Sequence, residues 1–132
     1  MPNVNAGFPR KSAQLAPEQL RLYGRITLST EFGELLTESR IRLLEAIECT
    51  GSLSSASRML PMSYKAAWDA VEQMNRLAGH ALVERTVGGR QGGGTTLTEH
   101  GRRFIVLYRS VETQCRNSLS DLLAELRPGG YL

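Results

Sequence analysis

Three short amphipathic segments in close succession, two strand-like runs around a glycine-rich loop, and one long terminal apolar stripe predict a mainly α fold with a small β-hairpin or sheet. The class that fits is a winged helix-turn-helix with a long C-terminal dimerisation helix. At 132 residues the chain is about one domain long, and 41% apolar residues suffice for one compact core. Residues 1–20 hold three of the five prolines and no periodic apolar pattern, so they are expected to be a flexible tail. Residues 21–132 are then one folded domain, its terminal helix included.

The elements follow in order. "LYGRITLS", residues 22–29, alternates apolar Leu22, Ile26 and Leu28 with polar Arg25, Thr27 and Ser29, which predicts a half-buried strand. No second strand is evident beside it, so its partner is expected far along the chain, in the later hairpin. Thr37 is placed as the N-cap of a helix in which Ile41, Leu43, Leu44 and Ile47 recur at helical spacing, and Gly51 is its stop. Ser52 caps a second, short helix with Leu53, Ala56, Met59 and Leu60 facing inward, ended by Pro61. Ser63 caps a third, with Ala67, Ala70, Val71, Met74 and Leu77 as its apolar stripe and Gly79 as its end. The tight break between the last two is the helix-turn-helix signal.

Beyond Gly79, "ALVERTV" and "TTLT" read as two strands around "GGRQGGG", a loop too rich in glycine for helix or strand. Thr98 and Glu99 start the last helix, which runs to about Leu126 and is stopped by Pro128 and two glycines. Phe104, Tyr108, Val111, Cys115, Leu119, Leu122 and Leu126 recur three or four residues apart for about six turns. A small core cannot cover so long a stripe. Tyr108, Val111, Cys115, Leu119, Leu122 and Leu126 are therefore expected to bury their surplus against a second copy.

Charge and composition narrow the function. A net charge of +3 and a pI near 9.2 point toward an anionic partner without establishing one. Cys49 and Cys115 are far apart, and His80 and His100 follow no ligand spacing, so neither a metal nor a cofactor is expected. The cysteines read as free thiols of a reducing cytosol. No apolar run approaches the ~20 residues that span a bilayer, and the N-terminus has no signal-peptide core, which places the chain in the cytoplasm. Asp69, Glu72 and His80 lie near one another, but no nucleophile–base–orienter set appears, so an enzyme is not expected.

Placement of the basic residues matters more than their sum. The first turns of the second motif helix enter the major groove of DNA and present side chains to base edges. Behind Ser63 these are Tyr64, Lys65, Trp68 and Asp69. Lys65 reaches a guanine edge or a phosphate, and Tyr64 a phosphate or a thymine methyl. Trp68 belongs either to that reading surface or to the packing against the neighbouring helix. Ser52, Ser54 and Ser55 open the short helix, where hydroxyls and free N–H groups hold a phosphate or merely cap. Arg85 and Arg90 bracket the loop, with Arg102 and Arg103 beyond it, an arrangement suited to the sugar-phosphate chain or a narrow minor groove. An ordinary hairpin is the plainer alternative. A nucleotide phosphate loop is excluded, because "GGRQGGGTT" lacks the Lys-Ser/Thr pair and leads into a strand.

"SYKAAWDAVEQMNRL" followed by "LVERTVGGRQGGGTTLTEHGRR" resembles the N-terminal domain of the ModE family of molybdate-responsive transcriptional regulators, over about residues 22–115. More distantly, the motif is similar to that of LysR-type regulators. The resemblance implies a winged helix that dimerises partly through its terminal helix and binds a palindromic operator in double-stranded DNA. It also implies a reading helix of Ser63, Tyr64, Lys65, Trp68 and Asp69, and a wing from Arg85 to Thr95 with Gly92 and Gly93 at its tip. Family members carry molybdate-binding β-barrel domains after this one. The sequence here ends at Leu132, so direct molybdate binding is not expected of it. The expectation is a homodimeric, sequence-specific regulator. The alternative is an interaction module that recruits a protein through its long helix, and it is separated from the first by whether Lys65, Arg85 and Arg90 share one continuous surface.

Overall fold

A computed structural model describes residues 20–86 and 94–126. Its elements are β1 (Leu28–Thr30), β2 (Gly33–Leu36), α1 (Glu38–Thr50), α2 (Leu53–Met59), α3 (Tyr64–Ala78), β3 (Val83–Arg85), β4 (Thr95–Leu97) and α4 (Glu99–Leu126). The order is that of a winged helix-turn-helix. The described residues fall into two compact units, 25–114 and a smaller one of 20–24 with 115–126. The tail expected over residues 1–20 lies outside the described residues except for Leu20.

The helix boundaries follow from the caps. Thr37 accepts from the Arg40 N–H at 3.2 Å, Ser52 from Ser55 at 3.2 Å and Ser63 from Ala66 at 3.1 Å. Each occupies one donor that a helix start leaves orphaned. Gly51 and Gly79 close α1 and α3 in the left-handed region, at φ 72° and 71°. Between α1, α2 and α3 sits the core, in which Ile41, Leu43, Leu44, Ile47 and Met74 are fully buried together with Leu36 and Leu82.

One strand differs from its sequence reading. β1 starts only at Leu28, is largely exposed, and pairs antiparallel with the adjacent β2, not with the distant hairpin. Thr30 pairs with Gly33 across a turn made by Glu31 and Phe32, and the Thr30 hydroxyl accepts from the Phe32 N–H at 3.1 Å. "EF" is no turn signature, so the pairing was invisible in the pattern. β3 and β4 form a separate two-stranded sheet, with Arg85 opposite Thr95.

The base of the wing is fastened to α3 by polar contacts. Asn75 accepts from the N–H of Leu82 (2.8 Å) and of Val83 (3.3 Å), and donates to the Val83 carbonyl (3.1 Å). The Thr98 hydroxyl donates to the Ala81 carbonyl at 2.6 Å and accepts from the Gly101 N–H at 3.1 Å, heading α4. There α4 passes so close to the hairpin that a Cβ at Gly101 would lie 2.3 Å from the Leu82 carbonyl oxygen.

Along α4 the apolar stripe is not uniform. Tyr108, expected at a dimer face, belongs to the core: it is 3% exposed, and its hydroxyl donates to the Ile26 carbonyl at 2.8 Å. Burial, reinforced by the charges of Glu38 and Glu112, pushes its phenol pKa up. In the smaller unit, half-buried Cys115 and Leu119 face Gly24, where a Cβ would come within 3.2 and 3.0 Å of them. The chain's own N-terminal segment thus covers part of the stripe. Leu126 is half-buried, whereas Val111 and Leu122 are exposed, as are Val106 and Leu107 outside the stripe.

Beside the core, Arg109 of α4 is ringed by Glu45 (2.6 Å), Glu112 (2.9 Å) and Glu38 (3.1 Å). Hydrogen bonding to Glu45 leads the causes that raise its pKa. Burial alone would raise that of Glu38, but hydrogen bonding to Arg42 and Glu112 and the Arg109 charge outweigh it, holding Glu38 below its usual value.

Candidate nucleic-acid interface

The helix-turn-helix is α2 and α3 with the extended link between them. Leu60 leaves helical geometry (φ −119°, ψ 155°), Pro61 cannot continue a helix, and Ser63 restarts one. α3 turns Ala67, Val71 and Met74 into the core, which leaves Tyr64, Lys65, Asp69, Glu72 and Arg76 exposed on the other side. Tyr64 and Lys65 stand in the first turn, the part of such a helix that reaches base edges.

Lys65 and Asp69 are one turn apart and joined, Nζ to Oδ2, at 3.1 Å. Their side chains are 84% and 62% exposed, so the pair adds at most a few tenths of a kcal/mol to stability. Its consequence is positional: Asp69 lays the lysine along the helix surface.

Trp68 takes the packing role of its two sequence readings. Half-buried, it packs against the core, and its ring also carries the Arg85 guanidinium, whose Cζ lies 4.9 Å from the ring centroid. This contact joins the base of the wing to α3 at Trp68, three residues after Lys65. Seventeen residues separate the two partners, and no periodicity or motif announces such a pairing.

Of the serines at the start of α2, Ser52 alone is the cap. Ser52 gives its oxygen to the Ser55 N–H, and the Ser54 hydroxyl accepts from the Arg58 guanidinium at 3.0 Å. Arg58 thereby lies over the first turn of α2. Sequence reading did not single it out, although its position four residues after Ser54 is the available signal. Thr95 differs from expectation: it is 6% exposed and its N–H donates to the Gly51 carbonyl at 2.9 Å, so it anchors the wing and does not face a ligand. Arg102 and Arg103 both pair with Glu99, at 3.4 and 3.5 Å. Arg90, Gly92 and Gly93 lie outside the described residues.

His80 and His100 stack at 4.3 Å between centroids, linking the segment after α3 to the start of α4. Among the described residues, no three His, Cys, Asp or Glu side chains are grouped to hold a metal ion. No helix there is long and apolar enough to cross a membrane.

Comparison with known proteins agrees with this geometry. Residues 39–102, from the second residue of α1 to the start of α4, match the model of bacterial regulatory helix-turn-helix proteins of the lysR family. The chain is 50% identical over 106 residues to the molybdenum transport protein ModE of Azotobacter vinelandii, covering 80% of this chain and 39% of that protein. It is 44% identical over 86 residues to the DNA-binding transcriptional dual regulator ModE of Escherichia coli K12, covering 65% of this chain and 32% of the relative. A molybdenum-pterin-binding protein, MopB of Rhodobacter capsulatus, is 42% identical over 89 residues, or 67% of this chain and 33% of MopB. The chain thus spans 32–39% of these relatives' lengths.

Proposed function

We propose, for a chain that belongs to the ModE-related helix-turn-helix regulators, that it is a sequence-specific DNA-binding transcriptional regulator connected with molybdenum. The observation that carries the reading is the α3 surface: exposed Tyr64 and Lys65 in its first turn, and Arg85 held against the Trp68 ring of the same helix. Lys65 and Tyr64 address base edges or the adjoining phosphates, Asp69 orients the lysine, and Ser52, Ser54 and Ser63 mark helix starts that face backbone phosphates. Arg90, Gly92 and Gly93 extend the contact along the wing.

The acting unit is a homodimer on a palindromic operator, working in the cytoplasm. Support comes from α4, where Leu107, Val111 and Leu122 stay exposed along a helix of 28 residues. Burying such side chains yields about 25 cal/mol per Å2 of apolar surface, which two copies provide for each other. Tyr108 takes no part in that interface. The same exposed apolar residues favour a second reading, an interaction module whose α4 recruits a different protein. Selection from a pool of randomised duplexes with the purified chain, followed by sedimentation of the selected complex, separates the two. A palindromic consensus bound by two chains supports the regulator. No enrichment over the starting pool, with monomeric protein, removes it in favour of the module.

A further inference from the structure

The cations that have a partner on this surface are held in two ways, while Arg76 stands exposed on α3. Lys65 is tied to Asp69, Arg58 to Ser54, and Arg102 and Arg103 to Glu99. Arg85 is different: among the described residues it has no ion pair and no side-chain hydrogen bond, and its partner is the Trp68 ring. A carboxylate that fixes a guanidinium consumes its N–H donors and cancels its charge. An aromatic face restrains the same group through the ring quadrupole and leaves five donors and the full charge for something else. Trp68 is itself fixed, half-buried against the core from a rigid helix. Arg85 is fixed in its backbone by pairing with Thr95, whose N–H is tied to Gly51.

We infer that Trp68 is a positioning residue that presents Arg85 to a DNA phosphate flanking the groove α3 enters, so that the base of the wing and the reading helix dock as one unit. The inference rests on the DNA-binding reading above. An unneutralised, pre-oriented guanidinium loses little side-chain freedom on binding, and a phosphate is the ligand its planar fork fits. The contact is to backbone, so it adds affinity at every sequence and contributes no base preference.

The test uses the full chain and a mixed-sequence DNA duplex, which supplies phosphates without requiring the operator. Affinity is measured over a range of salt for the wild type, Arg85→Ala, Trp68→Leu, Trp68→Phe and the Arg85→Ala/Trp68→Leu double variant. Arg85→Ala and Trp68→Leu should each lower the slope of log affinity against log salt by about 0.9, the signature of one lost phosphate. The double variant should lose no more than either single one, and Trp68→Phe should retain part of the slope. Trp68 is the chain's one tryptophan, so its emission reports the contact directly: Arg85→Ala should shift the emission of the free protein and abolish any change on adding DNA. If Trp68→Leu does not fold, Trp68→Phe and the emission of Arg85→Ala decide the matter. Additive losses, an unchanged slope in Arg85→Ala, or an unchanged emission would overturn the inference while leaving DNA binding standing. A wild type that binds no duplex removes both.

Discussion

Arg109 and Arg85 are two arginines of one chain in opposite situations. Arg109 lies between α1 and α4 with three carboxylates within 3.1 Å, more negative charge than it can neutralise. Arg85 lies at the base of the wing with an uncharged ring. The first is saturated within the fold and works on stability. The second is held in place with no ion pair among the described residues, the condition of a group that awaits an anion. Saturation by neighbouring carboxylates therefore separates these two arginines where net charge does not.

The framework side can be broken hardest at Gly101. A methyl there meets the Leu82 carbonyl at 2.3 Å, a backbone atom that also accepts the Thr98 N–H at 2.9 Å. Neither α4 nor the hairpin can yield without disturbing that bond. Gly101→Ala should cost about 2–3 kcal/mol, read as a lowered midpoint in urea or thermal unfolding. A melting curve like that of the wild type would mean that α4 and the hairpin are free to separate.

Gly101 also shows what was legible in the sequence. The motif that contains it stood out, but the reason for a glycine, an approach between segments 19 residues apart, did not. Caps and periodicity are local, so Thr37, Ser52, Ser63, Gly51 and Gly79 each fell where they were expected. Contacts between distant elements escaped: Trp68 with Arg85, Arg109 with Glu38 and Glu45, and Tyr108 with Ile26. The Tyr108 error has a physical origin. Helical spacing shows which residues share a face but not which stretch of the face the chain covers for itself. β1 failed for the complementary reason, since its partner was close but joined by an uncharacteristic turn.

On the binding side, Lys65→Ala should sharpen the contrast. The side chain is 84% exposed, so unfolding should change by less than about 0.5 kcal/mol. If Lys65 reads a base, discrimination among duplexes from the selection should fall by about 1–3 kcal/mol at one position of each half-site. Uniform weakening at every sequence would reassign Lys65 to a phosphate. A loss of stability larger than the loss of affinity would place it in the framework.

The smallest effect concerns the Arg109 cluster. Arg109→Met keeps the aliphatic stem and removes the charge, leaving Glu38, Glu45 and Glu112 together without their central cation. The four side chains are 27–42% exposed, so solvent screens the loss to about 1–2 kcal/mol near neutral pH, with DNA affinity of the folded protein unchanged. Glu38 is held below its usual carboxylate value in the folded chain. A carboxyl depressed on folding contributes stability above its unfolded pKa and loses it as pH falls through the folded one. The stability gap between wild type and Arg109→Met should therefore be flat above about pH 5 and should narrow once the solution is more acid than the ordinary glutamate value of 4.5. Arg109, whose own pKa is raised, keeps its proton throughout that range and adds no slope. Urea unfolding of both proteins along a descending pH series measures the gap. A gap that holds constant into strong acid would mean that the carboxylates are not what Arg109 stabilises, and that its guanidinium, with Cζ 6.0 Å from the Tyr108 ring centroid, carries the difference.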